Sequence, residues 1–329
     1  MQAKAVRIHA HGGPEVLAVE TVSVGDPGPG EVLVRQTAIG LNYQDIYHRS
    51  GMYPLPMPAG LGTEAAGVVE RVGPAVAGFA PGDRVCYGGG APGACAAWRV
   101  MPANRLVRTP DAISDEQAAA VLMKGMTVEY LLTRCHPVKR GEPVLFHAAA
   151  GGVGLLAGQW GRHLGARMVG IASGADKVAL ALAHGYEACI DRSAEDVPAR
   201  LKQLAGEMSG GRGFPVVYDS VGAATFEQTL DALAPRGLFV SFGTTSGAPP
   251  AVEAATLQKR GSLYFTRPTL VTYTASADEL QASAAAVFAW VEQGVLTVAI
   301  GQRYPIDDIA TAHRELEAGR TRGSTLIVP

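Results

Sequence analysis

One short run limits what this chain can fold into more than any other. It is Val144-Leu145-Phe146-His147-Ala148-Ala149-Ala150-Gly151-Gly152-Val153-Gly154, an apolar strand-like segment that breaks into glycines and passes into an apolar helix. The run is a variant of G-x-G-x-x-G, with Ala149 in the first glycine's place, Gly151 in the second and Gly154 in the third. Glycine at 151 lets the backbone approach a pyrophosphate with no Cβ in the way. Glycine at 154 lets the helix close against the strand, and the helix start offers free N–H groups to the phosphates. Glycines alone mark only a tight turn, but a strand before, a helix after and a second strand beyond point to a dinucleotide site.

The surrounding chain has the same texture. Strand-like runs at 143–148, 167–172, 188–191, 216–219 and 238–243 alternate with helical stretches at 152–164 and 177–184, which predicts a parallel, doubly wound sheet. The first hundred residues differ, with short β-like runs at 1–8, 31–38, 67–72, 84–87 and 96–101 cut by clusters such as Gly25-Asp26-Pro27-Gly28-Pro29-Gly30. Ser114-x-x-Gln117 reads as a capping box opening a helix over 118–132 that links the halves. An amphipathic helix over 277–293 and a strand over 324–328 read as the β-rich part resuming. The expected class is α/β: a Rossmann-type domain over 127–267, enclosed by a split β-rich domain of residues 1–126 and 268–329.

Bulk properties narrow the function. A chain of 329 residues, 47% hydrophobic and 18% charged, is a well-buried globular protein with room for two cores. Its net charge of −2 supplies no field for a nucleic acid backbone or an acidic membrane, so phosphate binding must be local. Cys86, Cys95, Cys135 and Cys189 lack CxxC spacing, which speaks against a zinc cluster or a disulfide framework. With no signal-peptide pattern and no long apolar run, the expectation is a cytoplasmic protein with reduced thiols.

The second strand's end bears on the coenzyme. An Asp or Glu there would accept from a ribose 2′-hydroxyl, but Gly170-Ile171-Ala172-Ser173-Gly174-Ala175 holds no acid. Lys177 and Arg192 can supply cations to a 2′-phosphate, so NADPH is favoured over NADH. His147, on the apolar strand before the loop, reads as packed and hydrogen-bonded, and Cys86 and Cys95 as packing residues.

Further segments carry a family resemblance: His11-Gly12-Gly13-Pro14-Glu15-Val16-Leu17, Gly40-Leu41-Asn42-Tyr43-Gln44-Asp45-Ile46-Tyr47, Arg49-Ser50-Gly51-Met52-Tyr53-Pro54, Gly60 to Gly67, Lys124-Gly125-Met126-Thr127, Val217-Tyr218-Asp219-Ser220-Val221-Gly222 and Thr266-Arg267-Pro268. The chain resembles the zinc-free, zeta-crystallin-like quinone oxidoreductases of the medium-chain dehydrogenase/reductase superfamily, end to end. Zinc enzymes of that superfamily put a ligand Cys and a ligand His where this chain has Asn42 and Thr63, so the resemblance implies a metal-free enzyme and a β-rich domain of GroES-like fold. It implies NADPH as cofactor and quinones or other planar electrophiles as acceptors, with the anion that develops on hydride uptake met by hydrogen-bond donors.

Carried over residue by residue, the resemblance places Asn42, Tyr47 and Tyr53 at the reacting end. Asn42 would touch the nicotinamide ribose, while Tyr47 and Tyr53 would flank the cofactor and a flat acceptor. Tyr43, Gln44 and Asp45 join the cofactor contacts. So do Thr127 and Tyr130, Gly151, Gly152 and Val153 at the pyrophosphate, and Ser173, Gly174, Lys177 and Arg192 at the adenosine phosphate. Ser220, then Gly243, Thr244, Thr245 and Ser246, then Pro268, Thr269 and Leu270 complete the set. A C-terminal Arg of the relatives falls on Gly319 here, with Arg320 or Arg322 as stand-ins. No residue is an obligatory proton donor, so solvent is expected to supply the proton. Tyr264 is expected on an edge strand that pairs with its twin in a homodimer. Two other functions stay open: an NADPH-dependent reductase of α,β-unsaturated carbonyls, and a non-catalytic, crystallin-like NADPH-binding or RNA-binding protein.

Overall fold

The computed structural model describes residues 1–329, which divide into two compact units, Met1–Met126 with Tyr273–Pro329, and Thr127–Thr272. The first unit opens with β1 (Gln2–Ile8), β2 (Ala18–Ser23), β3 (Glu31–Leu41), α1 (Tyr43–Ser50), β4 (Ala59–Gly60) and β5 (Glu64–Val72). β6 (Arg84–Gly88), β7 (Trp98–Pro102), β8 (Val107–Arg108) and α2 (Asp115–Glu129) follow. The second unit contains β9 (Pro143–His147), α3 (Gly152–Leu164), β10 (Arg167–Ala172), α4 (Ala175–Ala183), β11 (Ala188–Asp191) and α5 (Val197–Ser209). It continues through β12 (Phe214–Asp219), α6 (Phe226–Ala232), β13 (Leu233–Ser241), α7 (Ala254–Lys259), β14 (Tyr264–Thr266) and α8 (Leu270–Tyr273). The chain then returns to the first unit with α9 (Ala277–Glu292), β15 (Ile300–Pro305), α10 (Ile309–Glu317) and β16 (Ser324–Val328).

The second unit's sheet is parallel throughout, in the order β11-β10-β9-β12-β13-β14. Strand order therefore reverses at β9, whose neighbours are β10 on one side and β12 on the other. Ligands of doubly wound sheets bind beyond the carboxyl ends of the strands at such a switch point. The loops leaving β9 and β12, at Ala148–Gly151 and Ser220–Gly222, stand there. β9 is buried along its whole length, as expected of a central parallel strand covered on both faces. Leu145, Val169, Val217, Phe226 and Phe239 are the heart of this unit's core.

The first unit holds a three-stranded sheet, β2-β1-β4, and a seven-stranded sheet ordered β15-β16-β3-β5-β6-β8, in which β7 also pairs with β3. Its pairings are antiparallel except β15 with β16. Val32, Val34, Ile39, Val69, Val85 and Ile327 build its core from alternating inward positions.

Ser114 and Gln117 form the reciprocal capping bonds: the Gln117 N–H donates to Ser114 Oγ at 3.2 Å and the Ser114 N–H to Gln117 Oε1 at 3.0 Å. The helix they start departs from a uniform α-helix over 118–132, because α2 ends at Glu129 and a π-helical turn, Tyr130–Cys135, follows. The Thr133 hydroxyl donates to the Glu129 carbonyl oxygen at 2.6 Å and so competes with the backbone ladder at the switch. No helix is long and apolar enough to cross a membrane.

Candidate active site

In the first unit, β3 runs into α1 through Asn42, the helix N-cap, with extended backbone at φ −127° and ψ 154°. The Asn42 N–H donates to Asp45 Oδ2 at 2.9 Å, which satisfies one of the donors a helix start leaves open. Asn42 Nδ2 donates to Glu64 Oε2 at 2.9 Å, and Lys124 Nζ donates to the same oxygen at 2.8 Å. The other oxygen, Glu64 Oε1, accepts from the Met123 N–H at 2.7 Å. Glu64 lies opposite Gly40 in the β3–β5 register, and a Cβ on Gly40 would stand 2.5 Å from Glu64 Oε2 and 2.3 Å from the Ala119 carbonyl oxygen. Only glycine leaves room for the carboxylate.

Asp45 is fully buried, and burial pushes its carboxyl up to about 7 against the opposing Asn42 hydrogen bond and the Lys124 charge. The next turn of α1 carries aromatic rings. Tyr47 meets Tyr43 edge-on at 5.3 Å between centroids and Tyr53 edge-on at 5.1 Å, an arrangement aromatic quadrupoles favour. Burial raises the Tyr43 phenol above its ordinary pKa. Tyr53 is half-buried and Tyr47 buried, with Gln44 half-buried on the first turn of the helix.

Thr63 is wholly buried, its hydroxyl directed at the Met123 sulfur at 3.6 Å. No group of three or more His, Cys, Asp or Glu side chains is placed to hold a metal ion. Arg320 forms a two-pronged ion pair with Glu315 at 2.7 and 2.8 Å, and the Arg322 N–H donates to Gln302 Oε1 at 3.3 Å.

In the second unit the glycine loop is built from backbone. Ala148 takes a left-handed conformation at φ 54°, the Gly151 N–H closes the turn onto the Ala148 carbonyl oxygen at 3.0 Å, and α3 starts at Gly152. A Cβ on Gly154 would meet the carbonyl oxygens of Ala148 at 2.4 Å and Ala149 at 2.6 Å, whereas at Gly151 the nearest atom is 3.3 Å away. Gly154 thus serves packing, and Gly151, exposed, leaves an open backbone surface. Alanine is accepted at 149 because β10 supplies glycine opposite: a Cβ on Gly170 would stand 2.7 Å from the Ala149 methyl.

Beyond β10, the Gly174 N–H donates to Asp191 Oδ1 at 2.8 Å, and Arg192 Nε donates to Ser173 Oγ at 2.5 Å. Gly174 has φ 89°, which explains the glycine. Ser173, Gly174 and Arg192 are thus brought together, with half-buried Lys177 on the first turn of α4. Asp191 is the acid that residues 170–175 lack, and it comes from the end of the next strand, β11. Its Oδ1 also accepts from the Ser193 hydroxyl at 2.6 Å and N–H at 2.9 Å, bonds that hold its carboxyl below the usual range.

Beyond β12, Asp219 Oδ1 accepts from the N–H groups of Val221 at 2.6 Å and Gly222 at 3.1 Å, fixing the turn at Ser220. Its Oδ2 accepts from the hydroxyls of Thr225 at 2.6 Å and Thr229 at 2.9 Å. A Thr229 hydroxyl that donates to a carboxylate must accept from His147 Nε2, 3.0 Å away, which assigns the His147 tautomer. Burial lowers the His147 pKa, and the ring is packed and hydrogen-bonded, as its apolar strand suggested. The Thr245 and Ser246 N–H groups donate to the carbonyl oxygens of Ser220 at 3.1 Å and Val221 at 2.8 Å, which ties 243–246 to 220–222. Thr127 is half-buried and Tyr130 buried near this unit's start. At its other end Pro268 and Leu270 are buried and Thr269 caps the start of α8 through the Thr272 N–H.

Comparison with known proteins settles the family. Residues 28–134 match the family model for the alcohol dehydrogenase GroES-like domain, and residues 184–327 that for zinc-binding dehydrogenase. A quinone oxidoreductase of Pseudomonas aeruginosa is 48% identical over 99% of this chain and 100% of its own. The chain belongs to the quinone oxidoreductase family. Within this family, the crystal structure of an Escherichia coli quinone oxidoreductase complexed with NADPH superposes with a TM-score of 0.96 at 45% identity, covering 99% of this chain and 100% of that one. A 2-haloacrylate reductase of Burkholderia sp is 40% identical over 98% of each chain. The fold is accordingly that of the medium-chain dehydrogenase/reductases, a Rossmann-type unit and a GroES-like unit.

Proposed function

We propose that this quinone oxidoreductase family member transfers reducing equivalents from NADPH to quinones without a metal. The observation that carries the reading is the switch point: the Ala148–Gly151 turn after β9 and the Asp219-braced turn after β12 stand side by side in the sheet order. The coenzyme implied by the family fits the residues present, because the exposed, Cβ-free Gly151 and the start of α3 make the cradle a pyrophosphate needs. When bound, NADPH supplies a hydride from its nicotinamide ring.

The chain's own residues then divide the work. The N–H groups of Gly152 and Val153 bind the pyrophosphate. Ser173, Lys177 and Arg192 bind the 2′-phosphate, for which Arg192 is already tethered to Ser173. Ser220, Gly243, Thr244, Thr245 and Ser246 hold the coenzyme beyond the switch, with Thr127, Tyr130, Pro268, Thr269 and Leu270 as further contacts. Asn42, with Tyr43, Gln44 and Asp45 behind it, takes the nicotinamide riboside, and Tyr47 and Tyr53 line the place of a flat acceptor. A quinone that accepts a hydride needs one proton to become the hydroquinone, and solvent provides it. Asn42 and Thr63 offer an amide and a hydroxyl already engaged by Glu64 and Met123, a poor donor set for zinc.

The 2-haloacrylate reductase among the relatives favours a second reading, reduction of activated alkenes on the same scaffold. Steady-state NADPH oxidation over a panel of quinones and α,β-unsaturated carbonyls separates the two: brisk quinone turnover is expected, and enone turnover with no quinone turnover would replace the first reading by the second. We place the enzyme in the cytoplasm, consistent with four free cysteines. It pairs with a second copy through β14, the sheet's last strand, where Tyr264 is 62% exposed. Sedimentation of Tyr264→Lys is expected to show loss of the dimer, because a lysine on an exposed edge opposes strand pairing.

A further inference from the structure

Lys124 and Glu64 have no part in the assignments above, yet both are charged and only 6% and 0% exposed. An ion pair at that depth is costly to desolvate and adds little to stability compared with apolar packing, so its use has to be sought in what it arranges. What it arranges is Asn42. A carboxylate only accepts hydrogen bonds, and Glu64 therefore dictates which end of the Asn42 amide turns inward. The –NH2 end faces Glu64 Oε2 at 2.9 Å and the Gly40 carbonyl oxygen at 3.3 Å. The amide's carbonyl oxygen is left on the opposite side, over the start of α1, where the Asp45 N–H is directed at it and its second lone pair is left for a further donor. Lys124 Nζ, 2.8 Å from the same Oε2, supplies the countercharge, and the Met123 N–H holds the second oxygen at 2.7 Å. Three separate segments thus fix one amide.

We propose that Glu64 and Lys124 are positioning residues that act through Asn42, holding its carbonyl oxygen outward as the acceptor for a hydroxyl of the nicotinamide riboside. The proposal rests on the reading that Asn42 meets that part of NADPH. Neither charged residue touches the ligand. Removing the Lys124 ammonium leaves Glu64 Oε2 without the charge that anchors it, so the amide resting on that carboxylate is no longer fixed in place and a ligand O–H loses its preorganised acceptor.

The test is equilibrium binding of NADPH and of 2′,5′-ADP, which lacks the nicotinamide riboside, to the full-length protein and its variants. Lys124→Met is expected to weaken NADPH about tenfold and to leave 2′,5′-ADP unchanged, with Lys124→Arg restoring most of the loss. Asn42→Ala should do the same, and the double variant should be no weaker than Asn42→Ala alone, since both changes remove one interaction. Proportionate loss for both ligands, additive losses in the double variant, or an unchanged NADPH affinity in Lys124→Met would each overturn the proposal. Where Lys124→Met does not fold, the isosteric Glu64→Gln carries the same comparison. A wild type that binds NADPH no tighter than 2′,5′-ADP would overturn the placement of Asn42 itself. A wild type that binds it tighter, with Asn42→Ala weakened and Lys124→Met unaffected, would overturn only the positioning role.

Discussion

The Asn42 corner and the glycine loop solve opposite problems with opposite materials. The first gathers an amide, two carboxylates and an ammonium from β3, α1, β5 and α2 into a buried cluster held by side chains. The second is made almost wholly of backbone, with glycines where atoms must come close and no charge of its own. A side-chain cluster fails when one partner is removed, because the others stay buried and unsatisfied. A backbone cradle fails when a Cβ is added.

The largest expected effect breaks the first region. Glu64→Leu leaves Lys124 buried beside no anion and strands the Asn42 and Met123 donors, and should cost about 3–5 kcal/mol in denaturant unfolding. In the second region the expected loss depends on which glycine is changed. Gly154→Ala drives a methyl to 2.4 Å from a backbone carbonyl oxygen and should cost about 1–3 kcal/mol, measured the same way. Gly151→Ala, with φ −77° and its nearest neighbour at 3.3 Å, should stay within about 1 kcal/mol of wild type while binding NADPH poorly by titration. Equal destabilisation by both would erase the distinction between packing and ligand glycines.

Next comes the phosphate end. Lys177→Ala and Arg192→Ala should each raise KM for NADPH about tenfold and leave KM for NADH nearly unchanged, because only NADPH carries the extra phosphate. Equal effects on both coenzymes would discard the assignment.

The smallest effect is a pH dependence that sharpens the picture of the first unit. Burial, with the Arg49 charge beside it, lowers the His313 pKa from 6.5 to about 3. Below pH 6.5 the unfolded chain takes up a proton that the folded one refuses, so stability is full above 6.5 and falls as pH drops towards 3. One pH unit below 6.5 this single group should cost about 1 kcal/mol, and His313→Gln should remove that slope in thermal melts at pH 7 and 5.5.

The same contrast explains what could be read from the sequence. The glycine loop was legible because a backbone site needs particular residues at consecutive positions, and the strand and helix around it follow from local periodicity. The capping box at Ser114 was local too. Glu64 and Lys124 were not legible as a pair, since only the β3–β5 register, with Gly40 opposite Glu64, brings them to Asn42. Asp191 escaped for a like reason: it lies seventeen residues from Gly174, across a helix and at the end of another strand. Arg49, which reaches His313 at 3.2 Å and Glu317 at 2.5 Å across most of the chain's length, leaves no local trace. The π-helical turn after α2, within which the Thr133 hydroxyl bonds the Glu129 carbonyl oxygen, is not encoded by apolar spacing.

The most direct test of the central claim is the specificity constant of the purified protein for NADPH and for NADH with a simple benzoquinone as acceptor. Quinone-dependent oxidation with kcat/KM for NADPH at least about a hundredfold above that for NADH is the predicted result, each tenfold corresponding to about 1.4 kcal/mol at the 2′-phosphate. Equal constants, or no oxidation of NADPH with any quinone, would contradict it.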